Sequence, residues 1–169
     1  AELLGIHLRF ICAMERQICA VSPAALEQLL YHLLSNALKF TAAGGTVTVE
    51  LKKRGTQLLL SVADTGCGIP PERLEHLFNS CLQPQKAVPR HGLGLGLPLC
   101  RAIAERHGGR IAVESVPQQG TRFTVSLPDR QLGAQVSDVA PLYDSGFNRP
   151  LLGLADALPA GAYTVRNQD

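Results

Sequence analysis

The chain carries almost no excess charge. Sixteen Lys and Arg stand against fourteen Asp and Glu, a formal +2, and they form neither a basic stripe of the kind that binds nucleic acid nor a polybasic membrane block. Charge therefore points to no nucleic-acid partner. Long apolar runs are missing too. None approaches the roughly 20 residues that span a bilayer, and the first residues lack a basic-then-apolar leader pattern. The expectation is a soluble, cytoplasmic piece without direct membrane contact, whose parent protein is free to be anchored in the cell membrane. The five cysteines, Cys12, Cys19, Cys67, Cys81 and Cys100, show no CxxC pair and no zinc spacing. An odd set of this kind fits reduced thiols and argues against a disulfide scaffold. Two glycine signatures are also absent. No Gly-Lys-Ser/Thr marks a P-loop, and no glycine run matches the G-x-G-x-x-G dinucleotide fingerprint.

With 169 residues, 46% hydrophobic and 18% charged, what is present suffices for one substantial core. Gly5 to Cys12 and Gln17 to Val21 read as an N-terminal hairpin or two edge strands. Ser22-Pro23 is a helix start, and Leu26, Leu29, Leu30, Leu33, Leu34 and Ala37 then repeat at helical spacing. Gln28, His32, Asn36 and Lys39 share the other side of that helix. Val47, Val49 and Leu51 alternate with polar residues as in a half-buried strand. Leu58 to Val62 is a continuous apolar run suited to a central strand covered on both faces, and it delivers Asp64 at its end. Pro70-Pro71-Glu72 opens a short helix through Phe78, residues 79 to 91 read as a mobile lid, and Leu97 to His107 reads as a second helix stopped by Gly108-Gly109. Arg110 to Val116 and Thr121 to Leu127 read as a hairpin. Residues 129 to 169 change composition and read as a C-terminal tail, with a short packed helix at Leu151, Leu152 and Leu154.

Four stretches carry chemistry, in order. Asn36, in Asn36-Ala37-Leu38-Lys39-Phe40-Thr41, offers a neutral amide oxygen to a hard cation such as Mg2+, which shares its substrate's phosphates and keeps waters. The alternative is an asparagine that bridges local backbone. One turn earlier, His32 is either a proton acceptor or polar orienter, or a satisfied core histidine. Lys39 either neutralises phosphate or complements the helix dipole. Asp64 ends an apolar strand, where a carboxylate accepts from an exocyclic amino group and so selects adenine; Gly66 and Gly68 admit a flat base beside it, although a lone Asp-x-Gly-x-Gly is also a plain surface turn. Gly92, Leu93, Gly94, Leu95 and Gly96 precede a helix, whose free amides and dipole bind phosphate oxygens. Taken together, the series points to ATP.

These residues resemble the ATP-binding catalytic domain of bacterial sensor histidine kinases, in the superfamily that includes gyrase and heat-shock chaperone ATPases. The likeness covers residues 6 to 128. Leu33 to Thr41 is similar to the N box, Asp64 to Ile69 to the first glycine box, Leu77-Phe78 to a reduced F box and Gly92 to Leu97 to the second glycine box. His107-Gly108-Gly109, Gly120-Thr121-Arg122-Phe123 and Leu127-Pro128 complete the pattern. The resemblance implies an α/β sandwich of the Bergerat type, with a mixed sheet on one layer of helices. It implies Asn36 on Mg2+, Asp64 on adenine with Gly66, Gly68 and Ile69 around it, Gly92 to Gly96 on the phosphates, and Thr121 near the base. It further implies transfer of the ATP γ-phosphoryl to a histidine on a dimerisation helix, and a response regulator as partner.

Two departures stand out: His32 where the family has Asn or Glu, and Asn79, Ser80 and Cys81 in place of the aromatic and basic neighbours of Phe78. They motivate an alternative, a degenerate module that signals by docking. None of the five histidines lies in a matching acceptor motif, so the acceptor is expected outside this chain, which alone would not autophosphorylate.

Overall fold

The computed structural model describes residues 4–14, 20–78 and 96–130, together with the short stretches 143–144 and 147–148 and the positions 154 and 157. The element order is β1 (His7–Cys12), α1 (Pro23–Phe40), β2 (Thr46–Arg54), β3 (Gln57–Asp64), α2 (Pro71–Leu74), α3 (Gly96–Arg106), β4 (Arg110–Val116) and β5 (Gly120–Pro128). Two two-residue strands follow, β6 (Tyr143–Asp144) and β7 (Phe147–Asn148). The first five strands form one sheet in the order β1-β2-β3-β5-β4. The β1–β2 pair is parallel and the others antiparallel, which makes the sheet mixed, as expected for an α/β sandwich. Among the described residues no helix is long and apolar enough to cross a membrane.

Helix α1 begins where serine and proline place it. Ser22 is the N-cap, its hydroxyl accepting from the Ala25 amide, and Pro23 supplies a preset first turn; such a cap is worth about 1 kcal/mol. At the other end the Thr41 hydroxyl and amide both donate to the Ala37 carbonyl, which satisfies a carbonyl that the helix itself leaves free. His107 joins the two long helices. Its Nδ1–H donates to the Ile103 carbonyl of α3 at 2.8 Å, and its Nε2 accepts the Ser22 amide at 3.2 Å. The ring thus bridges the end of α3 and the start of α1.

The core lies between the helices and one face of the sheet. Leu29, Leu33 and Ala37 of α1 and Cys100, Ile103 and Ala104 of α3 are buried against it. Register sorts the opposing side chains into rows. Leu51, Leu60, Val125 and Ile111 lie abreast across β2, β3, β5 and β4, and Val49, Val62, Phe123 and Val113 form the next row. The β3 run is apolar on its inner side, and among the described residues the helices lie on that side. On its outer side Ser61 is buried by a polar network instead: Arg122 donates to Ser61, and Glu50 accepts from Ser61, Arg122 and Lys52. These partners hold the Glu50 carboxyl below its usual range, Lys52 foremost and against a smaller opposing effect of burial.

Several expected boundaries shift. Strand β1 is an edge strand, but its partner is β2 rather than Gln17 to Val21, of which Gln17 to Cys19 lie outside the described residues and Val21 is not in a strand. Helix α2 is one turn, and the chain then turns without helix as far as Phe78. The anticipated lid, residues 79 to 91, lies outside the described residues, as do Leu151 and Leu152; Leu154 packs on the core and its carbonyl accepts from the Ala157 amide.

Candidate functional site

Two residues beyond the last apolar row, the same face of the sheet turns polar. Antiparallel register sets Asp64 of β3 opposite Thr121 of β5, and Thr121 opposite Ser115 of β4. Because side chains alternate, all three project on the helix side, where Val62, Phe123 and Val113 project one row earlier. The strands outrun the apolar packing by one step, and Asp64 and Thr121 of that step line a cavity.

The cavity has a volume of about 290 Å3. Asp64 and Thr121 line it from the sheet, Asn36 and Phe40 from the end of α1, Gly68 and Ile69 from the loop after β3, Arg73 from α2 and Leu97 from α3. Asn36 and Asp64, separate in sequence, thus share one space. A carboxyl held there pays for its position: burial pushes the Asp64 pKa up, while the amides of Gly66 and Thr121, which bond the ionised form, pull it partly back. The Gly66 amide donates to Asp64 Oδ1 at 2.8 Å.

The glycines of this loop serve the chain's own packing. A Cβ on Gly66 would come within 2.2 Å of the Phe40 carbonyl oxygen, at the end of α1. Gly68 has φ +67°, and a Cβ there would lie 2.1 Å from the Val116 carbonyl oxygen. No other residue lets the loop press so close to both α1 and β4. The Cys67 amide completes the seam by donating to the Phe40 carbonyl, and its carbonyl accepts from Gln118. The close approach expected for a flat base is therefore made first by backbone.

The remaining expected residues sort clearly. Ile69 lines the cavity. His32 does not; its ring lies at the first residue of α3, where a Cβ on Gly96 would be 3.2 Å from His32 Nδ1. Lys39 is half-buried on α1 and does not line the cavity either. Gly92, Leu93, Gly94 and Leu95 lie outside the described residues, and Gly96 opens α3. Phe78, the surviving aromatic of the reduced F box, packs edge-on against Phe123, with centroids 6.4 Å apart and planes at 85°, so it braces a cavity wall. Sequence reasoning overlooked Arg73 and Ser115 altogether. Nothing in the local pattern singles out Arg73, and Ser115 is visible only through strand register.

Residues 21–131 match the family described as histidine kinase-, DNA gyrase B- and HSP90-like ATPases. The chain belongs to that family. Among curated relatives it is 44% identical over 104 residues to the adaptive-response sensory kinase SasA of Rippkaea orientalis, covering 61% of this chain and 27% of SasA. It is 40% identical over 141 residues to the circadian input-output histidine kinase CikA of Synechococcus elongatus, covering 82% of this chain and 17% of CikA. The chain thus spans only a small part of these relatives. Among solved structures, the catalytic domain of histidine kinase ThkA in a nucleotide-free form superposes with a TM-score of 0.66 at 28% identity, over 76% of this chain and 82% of that one. Full-length ShkA in complex with AMPPNP superposes with a TM-score of 0.68 at 27% identity, over 79% of this chain and 28% of ShkA. The fold is that of a histidine kinase ATPase domain, as its sequence motifs imply.

Proposed function

We propose that this chain is the nucleotide-binding and phosphoryl-donating unit of a sensor histidine kinase. The observation that carries the reading is the single cavity into which α1 brings Asn36 and the sheet brings Asp64 and Thr121. In this reading adenine lies at the sheet end, its amino group donating to Asp64, with Thr121 beside it and Ile69 packing on the base. The triphosphate runs toward α3, where the segment Gly92 to Gly96 supplies amides at the helix start. His32 stands beside that start as a polar orienter rather than as the group that accepts a proton from substrate.

The donor set suits Mg2+. Asn36 lines the cavity, and among the described residues no group of three or more His, Cys, Asp or Glu could cage a metal. One amide oxygen is what an ion needs when phosphates and waters supply its other ligands. The bound ion would neutralise phosphate charge; the chain's own task is to orient the nucleotide and exclude water. The acceptor is a histidine on a dimerisation helix of a longer chain. Its imidazole nitrogen forms the N–P bond as the bond from the γ-phosphorus to the β,γ-bridging oxygen breaks, ADP leaves and the imidazole proton passes to solvent. The phosphoryl group then passes to a response regulator.

Calorimetry of the purified chain with Mg2+ and ATP tests the binding: heat and a thermal upshift are expected, and neither at millimolar nucleotide would refute it. Adding a dimerisation helix with its histidine tests the transfer. Phosphohistidine formation is expected, whereas ATP binding without any phosphohistidine would favour a docking module.

A further inference from the structure

We propose that Ser115 is a positioning residue that fixes the hydrogen-bond polarity of the purine subsite, making Thr121 an acceptor so that a 6-amino purine is taken and a 6-oxo purine refused. This rests on the nucleotide reading above and deepens it.

Ser115 on β4 lies directly across from Thr121 on β5, and its hydroxyl meets three groups: the Ile69 amide at 2.8 Å, the Gly120 carbonyl at 2.9 Å and the Thr121 hydroxyl at 2.9 Å. A serine hydroxyl has one hydrogen to give and two places to receive. The Ile69 amide can only donate, so it fills one receiving place. The Gly120 carbonyl can only accept, so it takes the hydrogen. One receiving place is left, and Thr121 fills it by donating. The sole hydroxyl hydrogen of Thr121 is thereby committed to Ser115, and its oxygen has only lone pairs left to offer the cavity that it lines.

The neighbour of Thr121 in the same row is Asp64, which accepts only, once ionised. Two acceptors side by side suit the two hydrogens of an exocyclic amino group. A carbonyl at that position would set its own lone pairs against theirs, with no donor to satisfy it. Without Ser115 the Thr121 hydroxyl would be free to turn and donate, and of the two acceptors that refuse a 6-oxo base only Asp64 would remain. The same serine also holds the glycine loop, through Ile69, at the height of the sheet. Selectivity and loop position therefore depend on one oxygen.

The test is calorimetric affinity of the full chain for ATP and for inosine triphosphate, each with Mg2+, in wild type, Ser115→Ala, Ser115→Thr and Thr121→Val. Wild type is expected to prefer ATP. Ser115→Ala should narrow the ATP-to-inosine ratio by about tenfold, roughly the worth of one hydrogen bond; Ser115→Thr, which keeps the hydroxyl, should restore it. Thr121→Val should narrow the ratio as well, and adding Ser115→Ala to it should narrow it no further. If Ser115→Ala weakens both nucleotides in proportion, the serine is merely structural and the proposal is overturned. Equal wild-type affinity for the two nucleotides, or an unchanged ratio in Thr121→Val, overturns it too while leaving nucleotide binding intact. Binding of neither nucleotide by wild type brings down the functional reading itself. Should Ser115→Ala not fold, Ser115→Cys replaces it, since a thiol is only a weak donor and acceptor.

Discussion

Two neighbouring rows of the same sheet face do opposite work. The row Val49, Val62, Phe123 and Val113 packs beneath the helices, while the row Val47, Asp64, Thr121 and Ser115 keeps one apolar member and turns polar where the cavity opens. Strand geometry is continuous through both, so the change is one of side-chain chemistry alone. The apolar row gains from leaving water. The polar row bears a cost, visible in the upward shift of the Asp64 pKa by burial, which the Gly66 and Thr121 amides offset only in part. The site is the edge of the core, made from the same strands with the packing left unfinished.

The largest effect should come from breaking the apolar side. Leu33 of α1 is fully buried over the sheet, and Leu33→Ala should cost about 2–5 kcal/mol of stability, measured by denaturant unfolding, with loss of nucleotide binding following only from unfolding.

Breaking the polar side should do the reverse. Asp64→Asn is expected to weaken ATP about tenfold to a hundredfold, the range for a hydrogen bond to a charged group, and yet to raise the melting temperature of the nucleotide-free protein at neutral pH. The sign follows from the shift. The folded Asp64 holds its proton to higher pH than the unfolded chain does, so its contribution to stability is fully present below the unfolded pKa and is lost as pH rises through the folded one. Melting curves across the carboxylate range should show that loss in wild type and a flatter profile in Asp64→Asn. Equal slopes in the two proteins would contradict it.

The smallest effect is chemical and sharpens the boundary between the rows. Cys67 is exposed and lines the cavity, Cys12 is exposed on β1, and Cys100 is buried, its thiol pushed up to about 12 by burial. Thiolate is the reactive form. Mass spectrometry after brief alkylation should therefore find Cys12 and Cys67 modified and Cys100 intact. Mg-ATP should slow the labelling of Cys67 and leave Cys12 unchanged. Protection of both alike would argue against a local effect of the nucleotide.

Much of this was legible in the residues, because the signals are local. Ser22-Pro23 marks the start of α1, alternation marks β2, a hairpin pattern marks β4 and β5, and Gly108 follows the end of α3 closely. Asn36, Asp64 and Thr121 stood out by their motifs, and the fold brings them to one cavity. The misreadings arose where an apolar run does not say which side is covered. Leu58 to Val62 suggested cover on both faces, and among the described residues the outer side is buried at Ser61 by Arg122, Glu50 and Lys52 rather than by a helix. His32 shares a helix side with Asn36 but meets the start of α3 instead of the cavity, a difference of one turn that periodicity does not resolve.

The sequence by itself determined the elements, the family and the residue types of a nucleotide site, since each depends on neighbours a few positions apart. Only the tertiary structure decided which side chains stand together. Strand register set Ser115, Thr121 and Asp64 abreast, and the contact of Gly66 with the Phe40 carbonyl brought that row to Asn36. Those pairings join segments up to tens of residues apart, and their energy comes from packing and hydrogen bonds that exist only once the chain has closed.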